Sequence, residues 1–364
     1  MKVAIITDFL VKMGGAEKVV QKFAEYYPDA PIFTLLYDEK KCGEFFPKER
    51  VKVSFLRRFP GFIRKRYKLL LGLMPYAIES FDLMKYDLVI SSSSAFAHGV
   101  ITSSESTHIC YCHSPMRYAW DYTHKYLDEQ KSNWLMKKIA KDTLFKVREW
   151  DKIVADRPDY YIANSKHVQK RINKFYRLSS EVIYPPVKVD RCEESWTHED
   201  YFLIVGTLTP YKKIDLAVNL FNKIGKKLVI VGGGPELDFL KSIAGPNIVL
   251  TGKISDQELT KYFRDCRAFI FTCEEDFGIS MVEAMACGKP VLAYGVGGAK
   301  ETVIPGITGE LFEEQTVESM ENALGRLIVN ENKYKPEKIR QHAMKFSEER
   351  FEKEFKDFVK NALK

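Results

Sequence analysis

Residues 275–290 read E-D-F-G-I-S-M-V-E-A-M-A-C-G-K-P, and this stretch predicts a tight turn followed by a helix. The apolar run at residues 268–272 before it is typical of a buried strand, and Gly278 marks the break in the chain. Apolar residues at helical spacing over residues 280–287 predict a helix that Gly288 ends. The next strand is predicted at residues 290–294, so the stretch connects two strands.

The same stretch holds two acids, Glu275 in the turn and Glu283 one turn into the helix. The amides of Phe277, Gly278 and Ile279 have no intrahelical partner, so together with the helix dipole they predict an anion site. Two acids would repel a bare phosphate, and they are better explained as acceptors for ligand hydroxyls, such as those of a sugar and a ribose. A nucleotide sugar is the ligand that this pairing predicts. The alternative is a solvated loop acid and a glutamate on the helix surface.

Apolar runs separated by helical stretches continue along the chain and predict parallel sheets with helices on both faces. The loop at residues 91–99 is made of small residues and follows the carboxyl end of a predicted strand, where open sheets bind ligands. Further strands are predicted at residues 2–8, 31–35, 51–55, 87–91, 108–112, 160–164, 182–184, 201–205, 227–231 and 247–251.

The length of 364 residues favours two domains over a single core. Two prolines in E-V-I-Y-P-P-V, residues 181–187, fix an extended connection and predict the boundary. The predicted domains are residues 1–186 and residues 187–345, and resemblance to known two-domain folds of this kind implies that a C-terminal helix at residues 346–364 returns to the first domain.

Composition is that of an ordinary folded protein, with 45% hydrophobic and 29% charged residues, which excludes a disordered chain. The apolar run at the N-terminus is too short for a signal peptide, and no apolar run approaches the roughly 18 residues of a membrane span. Seven cysteines without framework spacing fit a reducing compartment. A cytoplasmic location is therefore predicted.

The net charge of +7 is concentrated in one basic segment, since residues 51–78 contain no acid. Aromatic and apolar residues interleave its cations, a pattern that fits the inner face of an anionic membrane, with each cation contributing about 1 kcal/mol. The alternative is a solvated helix over the core. The cations predicted to face the membrane are Arg57, Arg58, Arg64, Lys65, Arg66 and Lys68.

The E-x7-E turn followed by E-A-M-A-C-G-K-P-V resembles the donor-site motif of retaining glycosyltransferases of the GT-B fold, family 4. Asp276 stands where the family usually has glycine, and this variant resembles the mannosyltransferase branch of surface-polysaccharide assembly. The resemblance covers nearly the whole chain and implies an α/β protein of two Rossmann-like, doubly wound domains that face each other across a cleft. It further implies transfer of a hexose, with mannose from GDP-mannose as the leading donor, to a saccharide or lipid-linked acceptor. The nucleotide sugar is then a co-substrate, and no cofactor is expected.

The segment H-S-P-M-R-Y-A-W-D, residues 113–121, resembles the part of that branch in which a histidine contacts the donor. By this resemblance His113 binds the donor sugar or phosphate and acts in the transition state. Arg117, Tyr118 and Asp121 become candidates for the acceptor side. The alternative for His113 is an ordinary polar residue in a loop after a strand.

The catalytic residues implied by the resemblance are His113, Glu275 and Lys212, the last as the cation for the donor diphosphate. Thr207 occupies a position where family members commonly carry arginine, so one diphosphate cation is missing here. The implied donor-binding residues are Gly14, Gly15, Thr207, Lys212, Gly232, Lys253, Asp276, Phe277, Gly278, Ile279 and Glu283.

The chain contains no Asp-x-Asp, the motif through which the other main glycosyltransferase fold holds a divalent ion, so catalysis without an obligatory metal is predicted. His108, Cys110 and Cys112 alternate along one strand and would converge poorly on a tetrahedral zinc ion. Three other classes of protein remain as alternatives. A sugar-nucleotide epimerase shares the architecture, a nicotinamide oxidoreductase needs a fuller glycine fingerprint, and a nucleic-acid binder leaves the acidic turn unexplained.

Overall fold

The structure is a computed structural model that describes residues 1–124, 127, 134–192 and 197–364. The chain forms two compact units, Met1–Tyr184 with Glu352–Lys364, and Pro185–Phe351. These bounds differ from the predicted ones by two residues at the connection and by six at the return. Residues 346–351 stay with the second unit because the Val187 N–H donates to the Phe346 carbonyl at 3.0 Å, and the Phe346 ring packs on Phe277 at 5.5 Å.

The described residues of the first unit form a seven-stranded sheet in the order β3-β2-β1-β4-β5-β6-β7, and its strand pairs are parallel. An interior strand, Val3–Leu10, is largely apolar and buried, as expected of a strand covered on both faces, and its Ile5 pairs with Ile32 on one side and Ile90 on the other. The strands are β1 Val3–Leu10, β2 Ile32–Tyr37, β3 Val51–Val53, β4 Leu88–Ser93, β5 Thr107–Cys112, β6 Tyr160–Ala163 and β7 Glu181–Val182.

Helices cover this sheet through their apolar sides. Helix α1 buries Val19, Val20 and Phe23, and the Phe23 ring stacks on Phe355 of the C-terminal helix at 4.5 Å. The C-terminal helix is therefore part of the first core. The helices of this unit are α1 Gly15–Tyr26, α2 Glu39–Cys42, α3 Gly61–Lys65, α4 Met74–Glu79, α5 Trp134–Ile153 and α6 Lys166–Tyr176, with the C-terminal helix α14 Glu348–Ala362 returning to it.

The second unit has a six-stranded sheet among its described residues, in the order β10-β9-β8-β11-β12-β13, again with parallel pairs. Its strands are β8 Phe202–Val205, β9 Leu228–Val231, β10 Ile248–Gly252, β11 Ala268–Phe271, β12 Val291–Tyr294 and β13 Gly309–Phe312. Its helices are α7 Ile214–Ile224, α8 Leu237–Ile243, α9 Asp256–Asp265, α10 Ile279–Ala286, α11 Ala299–Thr302, α12 Val317–Val329 and α13 Pro336–Ala343. A capping box of Ser255 and Glu258 opens α9, as the sequence predicts.

Cys192 and Cys287 form a disulfide whose Cα atoms lie 5.2 Å apart. The expectation of reduced cysteines is therefore wrong for this pair. Their separation of 95 residues gave no local spacing that could have revealed the bond. The free cysteines of the described residues are all buried: Cys42, Cys110, Cys112, Cys266 and Cys273. Among the described helices, none has the length and apolar content to cross a membrane.

Candidate functional site

Strand order in the second sheet reverses between β8 and β11, and ligands of open α/β sheets bind at such a point, beyond the carboxyl ends of the strands. Glycines bring the loops at this edge close together. A Cβ on Gly232 would lie 1.9 Å from the Gly206 carbonyl oxygen, and the Gly232 N–H donates to Gly252 at 2.9 Å. Thr207 and Lys253, which directly follow Gly206 and Gly252, are thereby held at the same edge.

Lys212 and Glu275 form an ion pair at this reversal point, one after β8 and the other after β11. The Thr272 hydroxyl donates to the Lys212 carbonyl at 2.6 Å and fixes the backbone of the lysine. Burial lowers the pKa of Lys212, but the Glu275 charge outweighs burial and the net pKa is raised, so the ammonium stays charged at neutral pH. The structure thus places in direct contact Lys212, which is predicted to bind the donor diphosphate, and Glu275, which is predicted to bind the donor sugar.

The turn that carries Glu275 rests on a glycine turn after β12. The Gly298 N–H donates to the Glu275 carbonyl at 2.8 Å, and a Cβ on Gly298 would lie 2.4 Å from the Phe277 Cα. Gly278 then has φ +88 in the left-handed region and starts α10 at Ile279. The amides of Phe277, Gly278 and Ile279 are therefore at a helix N-terminus, as the sequence predicts, with Asp276 partly buried beside them.

Glu283 lies on the buried side of α10 and is only 5% exposed. Arg191 faces it, with Nη2 3.6 Å from the Glu283 Oε1 and 2.8 Å from the Asp256 Oδ1. Sequence reasoning missed Arg191 because nothing in its local pattern distinguishes it from a surface arginine after the domain boundary. The contact depends on how the second unit folds.

His113 follows β5 in the first unit, where its Nε2 lies 2.8 Å from the Ser92 hydroxyl oxygen. Burial lowers the pKa of His113 to about 4, so the imidazole is neutral at neutral pH. Its ring meets the Tyr111 ring edge-on at 5.2 Å. The side chain is thus ordered by the end of the sheet and is not a freely solvated loop residue.

A cavity of about 310 Å³ opens in the first unit where strand order reverses between β1 and β4. Tyr118 lines it, together with Asp8, Glu17 and Ser92. Burial raises the pKa of Glu17, a residue that sequence reasoning did not single out although it lies two positions after Gly15, a predicted donor-binding residue. The two glycines form the N-cap and the first residue of α1, which places Glu17 in its first turn.

The loop after β4 does not offer its amides to a ligand. The Asp8 carboxylate accepts the N–H groups of Ser94 at 2.6 Å, Ala95 at 3.0 Å, Phe96 at 2.7 Å and Ala97 at 2.7 Å. Burial raises the pKa of Asp8 despite these hydrogen bonds. The backbone of the small-residue loop expected to bind ligand therefore binds an acid of its own chain, and Ser92, Ser94 and Ala95 of the loop line the cavity.

Arg117 and Asp121 are not among the residues that line the cavity, and each contacts another side chain of the first unit. Asp121 pairs with Arg171, whose Nη2 donates to the Pro115 carbonyl at 3.1 Å. The Arg117 guanidinium lies 5.7 Å from the Tyr122 ring centroid. Of the three acceptor-side candidates, the structure places Tyr118 alone among the residues that line the cavity.

The basic segment exposes its described cations and four large hydrophobic side chains: Phe62 at 72%, Tyr76 at 68%, Leu69 at 64% and Leu73 at 42% exposure. Other side chains of the segment pack on the core, among them Phe55, Phe59 and Tyr67. The segment is therefore amphipathic, with its cations on the solvent side. The exposed arginines are Arg57, Arg58, Arg64 and Arg66, whereas the side chains of Lys65 and Lys68 lie outside the described residues.

Comparison with known proteins finds two family models along the chain, Glycosyltransferase Family 4 over residues 13–191 and Glycosyl transferases group 1 over residues 190–346. An uncharacterised glycosyltransferase of Methanocaldococcus jannaschii is 25% identical over 359 residues, 96% of this chain and 95% of that protein. A GDP-mannose-dependent alpha-(1-6)-phosphatidylinositol monomannoside mannosyltransferase of Mycolicibacterium smegmatis is 31% identical over 144 residues, 35% of this chain and 38% of that protein. HepE of Anabaena in complex with UDP-glucose matches with a TM-score of 0.72 at 17% identity, covering 99% of this chain and 100% of that one.

These matches, together with the two parallel α/β sheets, define a glycosyltransferase of the GT-B fold. Because the two models together span residues 13–346, the chain belongs to glycosyltransferase family 4. The predictions of family and fold class are confirmed.

Proposed function

We propose that this glycosyltransferase moves mannose from GDP-mannose to a saccharide or lipid-linked acceptor with retention of anomeric configuration. The observation that carries the proposal is the Lys212–Glu275 ion pair at the reversal point of the second sheet. It supplies one cation for a diphosphate and one acid for sugar hydroxyls within a single contact. The choice of mannose is supported by Asp276 and by the name of the mycobacterial relative, which matches over about a third of the chain.

Diphosphate departure is the largest electrostatic task of such a transfer. Lys212 acts as a point cation on the departing group, and the amides of Phe277, Gly278 and Ile279 add the positive end of α10. Before the donor binds, Glu275 neutralises Lys212. When the donor binds, the diphosphate replaces Glu275 as the partner of Lys212. Glu275 then accepts hydrogen bonds from the sugar hydroxyls, and Glu283 accepts hydrogen bonds from the ribose hydroxyls. Thr207 adds a hydroxyl but no charge.

His113 is assigned a contact with the donor sugar or phosphate. A neutral imidazole carries one N–H donor and one acceptor nitrogen, so it can bind a hydroxyl or a phosphate oxygen without a proton being taken up first. Its contact with Ser92 fixes the ring plane. No metal takes part in this assignment, and turnover is expected to continue in excess chelator.

The acceptor is proposed to bind in the cavity of the first unit. Glu17 and Ser92 offer oxygen atoms to sugar hydroxyls, and Tyr67 offers an aromatic wall to the C–H face of a sugar. The basic segment supplies Tyr67 to this cavity. An acceptor presented at an anionic membrane surface would therefore meet the segment and the cavity together.

A thermal-shift panel of nucleoside diphosphates and nucleotide sugars tests the donor assignment. A ligand at 100 times its dissociation constant adds about 2.7 kcal/mol to the free energy of unfolding, so a true donor raises the melting temperature measurably. GDP and GDP-mannose are expected to give the largest shifts. A larger shift with a nucleotide of another base would mean that GDP-mannose is not the donor. Conversion of the donor in the absence of an acceptor would contradict a transfer reaction.

A further inference from the structure

The segment that follows the connection between the units is fastened to helix α10. Cys192 is joined by its disulfide to Cys287, which caps the C-terminus of α10 one turn after Glu283. Arg340 of α13 donates from Nη1 to the Cys192 carbonyl at 2.8 Å. Arg191, the residue before Cys192, is therefore fixed covalently to the helix that carries Glu283.

The Arg191 side chain is enclosed, at 5% exposure, among groups of α9 and α10. Its Nη2 lies 3.6 Å from Glu283 and 2.8 Å from Asp256, and its guanidinium is 5.7 Å from the Phe263 ring centroid. Within the described part of the chain, its Nε and Nη1 are buried without a hydrogen-bond partner. Burying donors in this way is costly, so packing stability alone is a poor reason for an arginine at this position.

We propose that Arg191 is a positioning residue for Glu283 and that the Cys192–Cys287 disulfide is the brace that keeps it in place. The proposal rests on the proposed function, in which Glu283 accepts hydrogen bonds from the donor ribose. A fixed cation beside the carboxylate restricts the rotamers of Glu283, so less conformational entropy is lost when the ribose binds. Arg191 therefore acts on donor affinity and not on the chemical step.

The disulfide is suited to a permanent brace because Cys192 and Cys287 are 2% and 3% exposed, which shields the bond from attacking thiols. It closes a loop that spans most of the second unit, and it fixes the residue next to Arg191, which contacts both Glu283 and Asp256. Loss of the bond would free the segment that contains Arg191 and Cys192, and it would not alter any group proposed to touch the donor.

Calorimetric titration of GDP and steady-state kinetics with GDP-mannose test the proposal in the full chain. Arg191→Gln should raise both Kd and KM about tenfold, the size of one lost charge-assisted contact, with kcat at saturating donor changed less than about twofold. Arg191→Lys, which keeps the charge, should have Kd and KM values between those of the wild type and those of Arg191→Gln. The double variant Cys192→Ala/Cys287→Ala should raise Kd in the same direction with kcat retained.

Two variants serve as matched controls. Arg267→Gln removes another arginine that pairs with two acids, Asp200 and Glu331, and Cys266→Ala removes a free buried thiol of the same unit. Both should leave the Kd for GDP unchanged even where they lower the melting temperature.

Coupling between Arg191 and Glu283 separates positioning from a structural role. The variant Arg191→Gln/Glu283→Gln should bind GDP no more weakly than Glu283→Gln alone, because both changes remove one interaction with the ribose. Additive losses, or an unchanged Kd in Arg191→Gln beside a lower melting temperature, would overturn the inference. A wild-type protein that binds no nucleoside diphosphate would instead overturn the proposed function and take the inference with it.

Discussion

The Lys212–Glu275 ion pair concentrates the proposed chemistry at two side chains that are 14% and 26% exposed. Each depends on the other, because removing one partner leaves the remaining charge in a partly desolvated position. The Lys212 ammonium also lies 5.6 Å from the Phe271 ring centroid, so it keeps an attractive neighbour when the donor displaces Glu275. Substitutions at the two positions should therefore have different consequences.

Lys212→Ala should weaken GDP binding at least tenfold, because a charge-assisted phosphate contact contributes about 1.5–3 kcal/mol and Thr207 supplies no second cation. Lys213→Ala is the matched control, since Lys213 is the next residue and caps α7 in the left-handed region with φ +52. Thr207→Arg should tighten binding. Calorimetry measures all three, and a Lys212→Ala protein that binds GDP as the wild type does would show that the donor phosphates are misplaced.

Glu275→Gln should lower kcat about a hundredfold or more while leaving GDP binding equal to or tighter than that of the wild type. The reason is that the substitution removes the contact to the sugar and at the same time releases Lys212 for the diphosphate. Glu283→Gln should instead act chiefly on donor affinity. Steady-state kinetics and calorimetry on both variants make the comparison. Equal losses that follow a fall in melting temperature would refute the two roles.

At the level of single residues, the sequence could predict what lies in one local pattern. The turn at Gly278 and the helix after it follow from residues within a few positions, and the structure has both, with the helix starting at Ile279, one residue before the predicted start. The partner of Lys212 could not be predicted in this way, because Glu275 is 63 positions away and the contact depends on strand order. Arg191 is a similar case, since its two acidic partners lie on helices that come later in the chain.

Secondary-structure elements were predicted best where strands are buried on both faces, because such strands read as uninterrupted apolar runs. The strand predicted at residues 51–55 ends at Val53 because Ser54 turns the chain, its hydroxyl accepting the Leu56 N–H at 3.2 Å. Strand β13 was missed because its sequence G-E-L-F contains a glutamate. The structure satisfies Glu310 with the Tyr334 hydroxyl at 2.6 Å, a partner that no local pattern reveals.

Strand β5 carries a buried histidine that should make stability depend on pH. Burial, with a smaller contribution from nearby His98, lowers the pKa of His108 to about 3 from an ordinary 6.5, and the Ser91 hydroxyl lies at its Nε2. The unfolded chain therefore binds a proton that the folded chain does not. The contribution of neutral His108 to the free energy of unfolding is complete above about pH 6.5. It is lost by about 1.4 kcal/mol per pH unit as the pH falls towards 3.

Comparison of the wild type with His108→Gln isolates this contribution, because glutamine can keep a contact with Ser91 but does not titrate. Urea unfolding at pH 7.5, 6, 5 and 4 should show the wild type losing stability relative to the variant as the pH falls, at roughly the slope given by one proton. A stability difference that stays constant with pH would mean that His108 is not desolvated as the structure describes.

The basic segment makes a prediction for the surface of the first unit. Arg64→Glu/Arg66→Glu should abolish sedimentation with vesicles that contain acidic lipid, and wild-type binding should weaken as salt rises. Lys40→Glu/Lys41→Glu is the control, because it changes the net charge by the same amount at exposed residues of α2. Equal loss in both variants would indicate a net-charge effect, and no binding by the wild type would leave the segment as a solvated surface.

The whole molecule repeats one plan in its two units, each a parallel sheet whose strand order reverses once near its centre. Alternating strands and helices in the sequence predict this plan because each buried strand needs helices on both of its faces. The Cys192–Cys287 disulfide belongs to the part that could not be predicted, since it depends on the extended segment after Pro185 reaching the end of α10. The reversal point of the first sheet holds the Asp8 cavity and that of the second holds the Lys212–Glu275 pair, so each unit offers a candidate site for one of the two substrates of a transfer.

Acceptor-dependent release of the nucleoside diphosphate is the measurement that decides whether the protein transfers a sugar. Purified protein is incubated with GDP-mannose and a mannoside acceptor in excess chelator, and GDP is measured with and without the acceptor. GDP release is expected to require the acceptor, to persist in chelator and to fall at least about a hundredfold in Glu275→Gln. Release that is the same in the wild type and in Glu275→Gln, or that is lost in chelator and restored by manganese or magnesium, would contradict this expectation.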